Sequence, residues 1–103
     1  MRIKLSSTAE QQLLSGYHFY EGQSEGLGDY FLNSLMADID SLQIYAGVHA
    51  IHFGKYHRLL AKRFPYSIYY RIENGNVLVF AVLDNRRNPE WIKDQLRADN
   101  NEQ

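Results

Sequence analysis

Residues 77–83 form an uninterrupted apolar run, Val-Leu-Val-Phe-Ala-Val-Leu. A half-buried strand alternates polar and apolar residues, so a run without polar members is typical of a strand covered on both faces. Asn74-Gly75 precedes the run, and this pair tolerates the positive φ angles of a two-residue hairpin turn. The run is therefore predicted to be a central strand, antiparallel to the segment before the turn.

Strand patterns also occur at residues 2–5, 58–64 and 66–72. In the last of these, Ile68, Tyr70 and Ile72 share one face. The 58–64 strand is expected to end before Pro65, because proline cannot donate to a central ladder. Residues 48–55 have mixed polarity and contain a glycine, so they are predicted to form a loop.

Helical patterns fill the rest of the chain. The spacing of Ser7 and Glu10 is that of a capping box, which predicts a helix start at Ser7 and an end near residue 21. A second helix is predicted over 27–46, antiparallel to the first, and a short last helix over 90–97. The apolar stripe of the first helix consists of Ala9, Leu13, Tyr17 and Tyr20.

The chain has 103 residues, which is enough for one core and too few for two. It contains no cysteine, so disulfides, thiolate metal sites and cysteine nucleophiles are excluded. We expect one α+β domain over 1–97 and a polar tail at 98–103. The predicted order is an N-terminal strand, an α-helical hairpin, an antiparallel three-stranded meander completing a four-stranded sheet, and a short C-terminal helix.

Neither the N-terminus nor any later segment has the apolar run of a signal peptide or a membrane helix. A cytoplasmic protein without a membrane partner is expected. The charge is unevenly distributed: residues 1–50 carry two bases and six acids, whereas residues 51–97 carry nine bases and four acids. The basic half suggests an acidic protein or nucleic-acid partner, although a solvated surface has the same pattern.

Three segments narrow the assignment: Phe64-Pro65-Tyr66-Ser67-Ile68-Tyr69-Tyr70, then the strand from Val77 to Val82, then Arg86-Arg87-Asn88-Pro89-Glu90-Trp91. Together they resemble the C-terminal half of RelE/ParE superfamily toxins, and the resemblance covers about 56–97. It implies a toxin of a type II toxin–antitoxin (plasmid stabilization) system, neutralised by a cognate antitoxin in a hetero-oligomer. DNA would be contacted only indirectly, through that antitoxin.

The resemblance offers two branches, of which RelE-like members cut messenger RNA on the ribosome and ParE-like members are associated with inhibition of DNA gyrase. RNA cleavage needs a base, a phosphate-holding cation and an acid. Here Leu60 and Ser67 stand where the resemblance implies cations, and Trp91 stands where it implies a tyrosine. The ParE branch is therefore favoured and no catalytic residue is assigned. A ribosome-dependent ribonuclease using Arg58, Lys62, Arg86 and Arg87 stays the alternative, as does a degenerate, non-toxic partner-binding module.

Candidate target-binding residues are Arg58, Lys62, Arg86, Arg87 and Trp91, and candidate antitoxin-binding residues are Leu13, Tyr17, Tyr20, Arg58 and Lys62. Three of these residues have a structural alternative: Arg86 and Arg87 could pair with Asp84, and Trp91 could pack the last helix on the sheet. His49, His52 and His57 lack a second convergent ligand set, so no metal and no cofactor are expected.

Overall fold

The computed structural model describes residues 1–101, with the backbone alone from 98 onward. The elements in chain order are β1 (Ile3–Leu5), α1 (Ser7–Glu21), α2 (Leu27–Asp40), α3 (Leu42–Tyr45), β2 (Ile51–His52), β3 (Tyr56–Leu60), β4 (Tyr66–Glu73), β5 (Asn76–Asp84) and α4 (Pro89–Asn101). The predicted α+β class and its order of elements are confirmed. No helix in this part of the chain is both long and apolar enough to cross a membrane.

The five strands form one sheet in the order β1-β5-β4-β3-β2. The strand β5 is central, as its apolar run predicts, and it pairs in parallel with β1 and antiparallel with β4. The sheet has one strand more than predicted, because residues 51–52 of the predicted loop pair with β3. A two-residue strand shows no periodicity in sequence, and only its pairing with β3 makes it a strand.

A β-bulge interrupts the central pairing. Tyr69 lies opposite Ala81 and Tyr70 lies opposite Val79, which leaves Phe80 as an extra residue on β5. The extra residue shifts the alternation of β5, so that Phe80 and Ala81 both face the side of the sheet that carries α4.

Helix α1 supplies hydrogen bonds to the bulged part of β5. The Ser6 hydroxyl donates to the carbonyl oxygen of Phe80 at 2.9 Å. The Gln12 side-chain oxygen accepts from the backbone N–H of Val82 at 2.7 Å. Beyond Val79, β1 has ended. These two side chains therefore form hydrogen bonds with backbone groups of β5 that lie beyond the end of β1.

The sheet carries a separate core on each face. The core under α1 and α2 includes Ala9, Leu13, Tyr20, Phe31, Leu35, Ile39, Ile68, Tyr70, Val77, Val79 and Val82. The core under α4 consists of Tyr56, Tyr69, Phe80, Ala81, Leu83, Ile92 and Leu96, with Leu78 and Trp91 packed against it. A central strand that contributes to both cores explains why its sequence has no polar alternation.

The first helix begins at Ser7 as predicted, whereas its predicted cap residue and the predicted end of the second helix were wrong for identifiable reasons. The N-cap of α1 is Ser6, whose side chain accepts from the N–H of Ala9, and Ser7 is already helical. Adjacent serines give the capping pattern two possible registers, and the bond to β5 selects the first. The second helix stops at Asp40, six residues before the predicted end, and Ser41 separates it from α3. The Ser41 hydroxyl donates to the Asp38 carbonyl there, which competes with helix continuation.

Two other elements also differ in extent from the prediction. Strand β3 spans 56–60 in place of 58–64, because residues 61–65 form the turn into β4. Helix α4 runs to Asn101, whereas the predicted helix ended at 97. The predicted polar tail therefore begins inside the helix, and its last two residues, 102–103, lie outside the described residues.

Helices α1 and α2 approach closely because glycines lie at their contact. A Cβ atom on Gly28 would be 2.6 Å from the Tyr17 carbonyl oxygen, and one on Gly16 would be 2.5 Å from the Phe31 ring. The Glu21 carboxylate, near the end of α1, accepts from the N–H groups of Gly26 and Gly28. This carboxylate satisfies the N-terminal amides of α2, whose own cap residue makes no side-chain hydrogen bond.

Candidate functional site

The helical hairpin leaves an apolar groove next to the edge strand β1. It has a volume of about 530 Å³, and we call it the hairpin groove; its lining residues are Leu5, Ser7, Glu10, Gln11, Leu13, Leu14, Leu32 and Met36. Leu13 is buried at its base, whereas Leu14 is 55% exposed. An exposed apolar groove with polar groups at its rim is the kind of surface to which an amphipathic helix docks.

The structure places only one of the three proposed antitoxin contacts of α1 in this groove. Leu13 lines it. Tyr20 is 8% exposed and stacks on Phe31 with a centroid separation of 5.0 Å, so it belongs to the core. Tyr17 lies next to Asp29 and Glu21, and the charges of these carboxylates raise its phenol pKa.

Leu14 was not among the predicted antitoxin contacts, although it lies on the surface of the groove. The pair Leu13-Leu14 contained the signal, because adjacent residues of a helix point about 100° apart, so that one can be buried while its neighbour stays exposed. One of them packs in the core and the other is left for solvent or a partner. Leu32 and Met36, which broaden the apolar face of α2 in sequence, line the opposite wall of the same groove.

A second groove lies between α1 and α4, along the part of β5 that β1 does not cover. We call it the α1–α4 groove; it has a volume of about 390 Å³ and is lined by Gln12, Ser15, Phe19, Tyr66, Val82, Leu83, Asp84, Arg87, Trp91 and Gln95. The Arg87 guanidinium lies 3.8 Å from the centroid of the Trp91 ring. This stacking fixes the direction of the cation, and Arg87 forms no ion pair within the described part of the chain.

Arg86 has a different environment from Arg87. Its Nε and Nη2 atoms donate to the two carboxylate oxygens of Asp84, at 3.0 and 2.7 Å. This bidentate pair lowers the pKa of the Asp84 carboxyl, and the hydrogen bond to Arg86 is the largest cause. Of the two arginines proposed for target binding, Arg86 is therefore internally paired and Arg87 is available.

Tyr66 lies on the wall of the α1–α4 groove and keeps its proton at neutral pH. Burial, followed by the neighbouring Tyr20 and Asp84, raises the pKa of the Tyr66 phenol to about 12. A phenol with that pKa is a poor general base near neutrality. Tyr66 can therefore donate a hydrogen bond to a ligand, and it is a weak candidate for proton abstraction.

The face of the sheet beside α4 carries Arg58, Leu60 and Ser67, the positions at which the sequence resemblance implies the cations of a ribonuclease. Arg58 lies opposite Tyr69, and Leu60 lies opposite Ser67 with 53% of its surface exposed. Ser67 is fully buried, and its hydroxyl donates to the Asn85 side-chain oxygen. Arg58 is thus next to an apolar residue and a bonded hydroxyl on this face.

Lys62 lies apart from Arg58. Its backbone N–H donates to the Asp38 carboxylate at 3.1 Å, and the Asp38 side chain is buried between α2 and the turn after β3. The small pocket there also contains Ser34 and Arg63. The two basic residues proposed to contact both target and antitoxin therefore occupy different surfaces.

The three histidines of the central segment do not converge. His49 and His57 meet at Tyr70, with His49 bonded to the Tyr70 hydroxyl and His57 stacked on its ring. His52 pairs with Tyr56 on β3 and tilts against Phe53. No group of three metal-ligating side chains occurs in the part of the chain that the structure describes.

A solved structure described as "Chromosomal ParDE TA system from P. aeruginosa" contains a chain similar to this one. The TM-score is 0.68, the sequences are 17% identical, and the match covers 80% of this chain and 92% of that chain. No protein-family model matches the sequence, and none of the curated proteins matches it. The similarity establishes that the two chains share a fold, and it confirms the RelE/ParE-like fold that the sequence resemblance predicted.

Proposed function

We propose that this protein is the toxin of a type II toxin–antitoxin pair, that it acts by inhibiting DNA gyrase in the ParE manner, and that a cognate antitoxin neutralises it in the cytoplasm. The observation that carries this proposal is the open, apolar hairpin groove on a fold shared with a chain of a ParDE system. A domain of this size that leaves such a groove uncovered has the surface that a folding-upon-binding partner requires.

The antitoxin contact is proposed to be an amphipathic helix laid along the hairpin groove. Its apolar side chains would pack against Leu14, Leu32 and Met36, and its polar side would meet Glu10 and Gln11 at the rim. An extended continuation with acidic residues would reach the basic half of the chain, where Arg58 and Lys62 lie. DNA would be bound only by the antitoxin.

The target contact is proposed to centre on Arg87 and Trp91. The guanidinium is stacked on the indole and is not neutralised by a carboxylate of the described residues. A cation that is already oriented loses little entropy when it binds a carboxylate or a phosphate. Arg86 supports this surface indirectly, since its pair with Asp84 closes the turn between β5 and α4.

Three features favour binding over RNA cleavage. The Ser67 hydroxyl is buried and bonded to Asn85, Arg86 is held by Asp84, and the indole N–H of Trp91 is too weakly acidic to serve as a general acid. Cleavage would require cations and an acid at those places to stabilise the transition state. Of the four basic residues named for the ribonuclease alternative, Arg86 is therefore paired and Lys62 lies on another surface, which leaves Arg58 and Arg87.

The antitoxin is tested by co-expressing the chain with the product of the neighbouring reading frame and purifying the complex. We expect the pair to co-purify, and we expect growth arrest when this chain is expressed without its partner. Harmless expression of a chain that purifies alone would contradict the toxin assignment and would favour the degenerate module.

The target is tested with purified gyrase and relaxed plasmid. We expect loss of supercoiling, and we expect Arg87→Gln to weaken the inhibition about tenfold, the cost of one charged contact. Arg97→Gln is the matched control, since Arg97 is exposed and pairs with Asp94. Ribosome-dependent cuts in messenger RNA, mapped by toeprinting and lost in Arg58→Gln, would establish the ribonuclease in place of the gyrase inhibitor.

A further inference from the structure

The hydroxyl of Tyr70 connects the sheet to the segment that leads into its edge strand. The ring is fully buried, and its Oη atom accepts from the N–H of Gly47 at 2.9 Å and lies 2.5 Å from the Nδ1 atom of His49. The Nδ1 atom of His57 lies 2.7 Å from the His49 carbonyl oxygen. Residues 46–52, which we call the strap, are therefore tied to β3 and β4 at three points around one phenol.

These contacts favour one protonation state for each imidazole. The Tyr70 oxygen already accepts from Gly47, so its own proton needs an acceptor, and His49 Nδ1 provides one. In this arrangement His49 is neutral, with its proton on Nε2. A carbonyl oxygen can only accept, so His57 carries a proton on Nδ1. His57 can gain a second proton without losing its bond, whereas a protonated His49 can no longer accept from the Tyr70 hydroxyl.

We propose that His49 and Tyr70 form a proton-sensitive latch, in which uptake of a proton at His49 Nδ1 removes the acceptor of the Tyr70 hydroxyl and releases the strap, with β2, from the edge of the sheet. The proposal concerns the fold and is independent of the toxin assignment.

The charges around His49 favour its neutral form. Burial, and then the charge of His57, lower the pKa of the His49 imidazole. The His57 ring stacks on Tyr70 at 5.0 Å, which keeps the two imidazoles near each other. The charged side chains of the adjoining strands are Arg58 on β3 and the ion pair of Arg71 with Glu73 on β4. They alternate with His57 and Tyr70 along their strands, so they lie on the opposite face.

The sign of the pH dependence follows from the lowered pKa. An unfolded or released histidine titrates near pH 6.5, and the latched His49 titrates below that. The stabilisation of the strap is therefore complete above about pH 6.5 and is lost as the pH falls through the lower folded pKa. Acidification opens the latch, and neutral pH closes it.

Besides these contacts, Ala46 of the strap packs, partly buried, against the core under α1 and α2. The strand β2 contributes two residue pairs to β3, and one more backbone bond joins the N–H of Arg58 to the Ala50 carbonyl. Val48 and Ile51 are 71% and 59% exposed, so they add little burial. Release would uncover the outer edge of β3, where another strand could then pair.

The test is hydrogen–deuterium exchange of the full chain at pH 7.5 and pH 5.5, corrected for the intrinsic pH dependence of exchange. We expect the strap to exchange faster at pH 5.5, by at most about tenfold, since that pH lies about one unit below the pKa of an unfolded histidine. The central strand, residues 76–84, should keep its protection at both values. Parallel acceleration of that strand would overturn the local latch, as would an unchanged strap.

Substitutions separate the latch from general acid sensitivity. His49→Asn keeps an acceptor near the Nδ1 position that does not titrate, so its strap should stay protected at pH 5.5. Tyr70→Phe keeps the core ring and removes the hydroxyl, so its strap should exchange rapidly at both pH values. His18→Asn, at an exposed histidine of α1, should behave like the parent chain. A strap in His49→Asn that opens with acid as the parent does would overturn the proposal.

Nitrogen NMR of the imidazoles gives an independent readout. We expect His49 as the Nε2-protonated form and His57 as the Nδ1-protonated form at pH 7.5. The reverse assignment for His49 would mean that its ring donates to Tyr70, and the latch would then not exist.

Discussion

Replacing Gly28 with alanine tests the close approach of α1 and α2. The glycine is buried in the first turn of α2, and an added Cβ would lie 2.6 Å from the Tyr17 carbonyl oxygen and 2.8 Å from the Glu21 Cβ atom. A carbonyl of a helical backbone cannot rotate away as a side chain can, so the helices must separate. Overpacking of this kind costs about 3 kcal/mol at the upper end of its usual range.

Part of that cost is recovered, because alanine is a better helix former than glycine by up to about 1 kcal/mol. The net loss is about 2 kcal/mol, which corresponds to a Tm lower by roughly 8–16 °C in a chain of this size. Urea denaturation followed by far-ultraviolet circular dichroism and by the fluorescence of Trp91 measures it. Coincident transitions from the two signals would show that unfolding is two-state.

Gly22→Ala is the matched control for Gly28→Ala. Gly22 ends α1 with φ −66° and ψ −21°, and the nearest atom to an added Cβ is the His18 carbonyl oxygen at 3.4 Å. Alanine fits there, and it should stabilise the chain by about 0.5 kcal/mol through the unfolded state. A Gly28→Ala variant as stable as the parent, or as the Gly22→Ala variant, would refute the argument from helix contact.

Three further substitutions test other contacts. Glu21→Ala should lower the free energy of unfolding by about 1–2 kcal/mol, because the N-terminal amides of α2 lose their acceptor. Glu21→Gln keeps an oxygen, so it should lower the free energy of unfolding by less in the same urea titration. Leu14→Ala should weaken antitoxin binding about fivefold to tenfold in calorimetry without changing stability, since roughly half of the leucine side chain remains to be buried. Ile44 is 80% exposed and does not line the groove, so Ile44→Ala should bind the antitoxin like the parent. Arg86→Ala should lower the free energy of unfolding only slightly at pH 7, because the arginine is exposed, and the difference should disappear as the pH is lowered through the depressed pKa of Asp84; a difference that grows in acid would contradict the pairing.

The central strand could be predicted from the sequence because its apolar run has only one common structural explanation. The bulge inside it could not. A bulge is visible in sequence when it shifts a polar and apolar alternation, and residues 77–83 have no alternation to shift. Phe80 and Ala81 are both apolar, so the sequence is equally compatible with either face for each of them.

The end of α2 could not be predicted from the sequence pattern either. Leu42 and Ala46 continue the apolar face of α2 across Ser41, so the periodicity predicts one helix through a point where the chain bends. At this bend the Ser41 hydroxyl donates to the Asp38 carbonyl, and the Asp38 carboxylate accepts from the backbone N–H of Lys62 in the turn after β3. A contact between residues this far apart leaves no trace in a local pattern.

The candidate site was predictable as a region and less so residue by residue. The segment around Arg86 and Arg87 was recognised, but sequence gave no way to tell which arginine Asp84 would hold. On α1, the stripe that contains Leu13 identifies the face turned toward the core. The exposed neighbour Leu14 lies outside that stripe, although it is the more available of the two for a partner.

The parallel pairing of β1 with β5 has a consequence for synthesis of the chain. Ile3 finds its partner in Val77, so the first strand to leave the ribosome stays unpaired until about three quarters of the 103 residues have been made. A fragment that stops before the Asn74-Gly75 turn contains the whole helical hairpin and no central strand to support it. Premature termination there therefore yields a product without the central strand, and the α1–α4 groove forms only after β5 and α4 have been made.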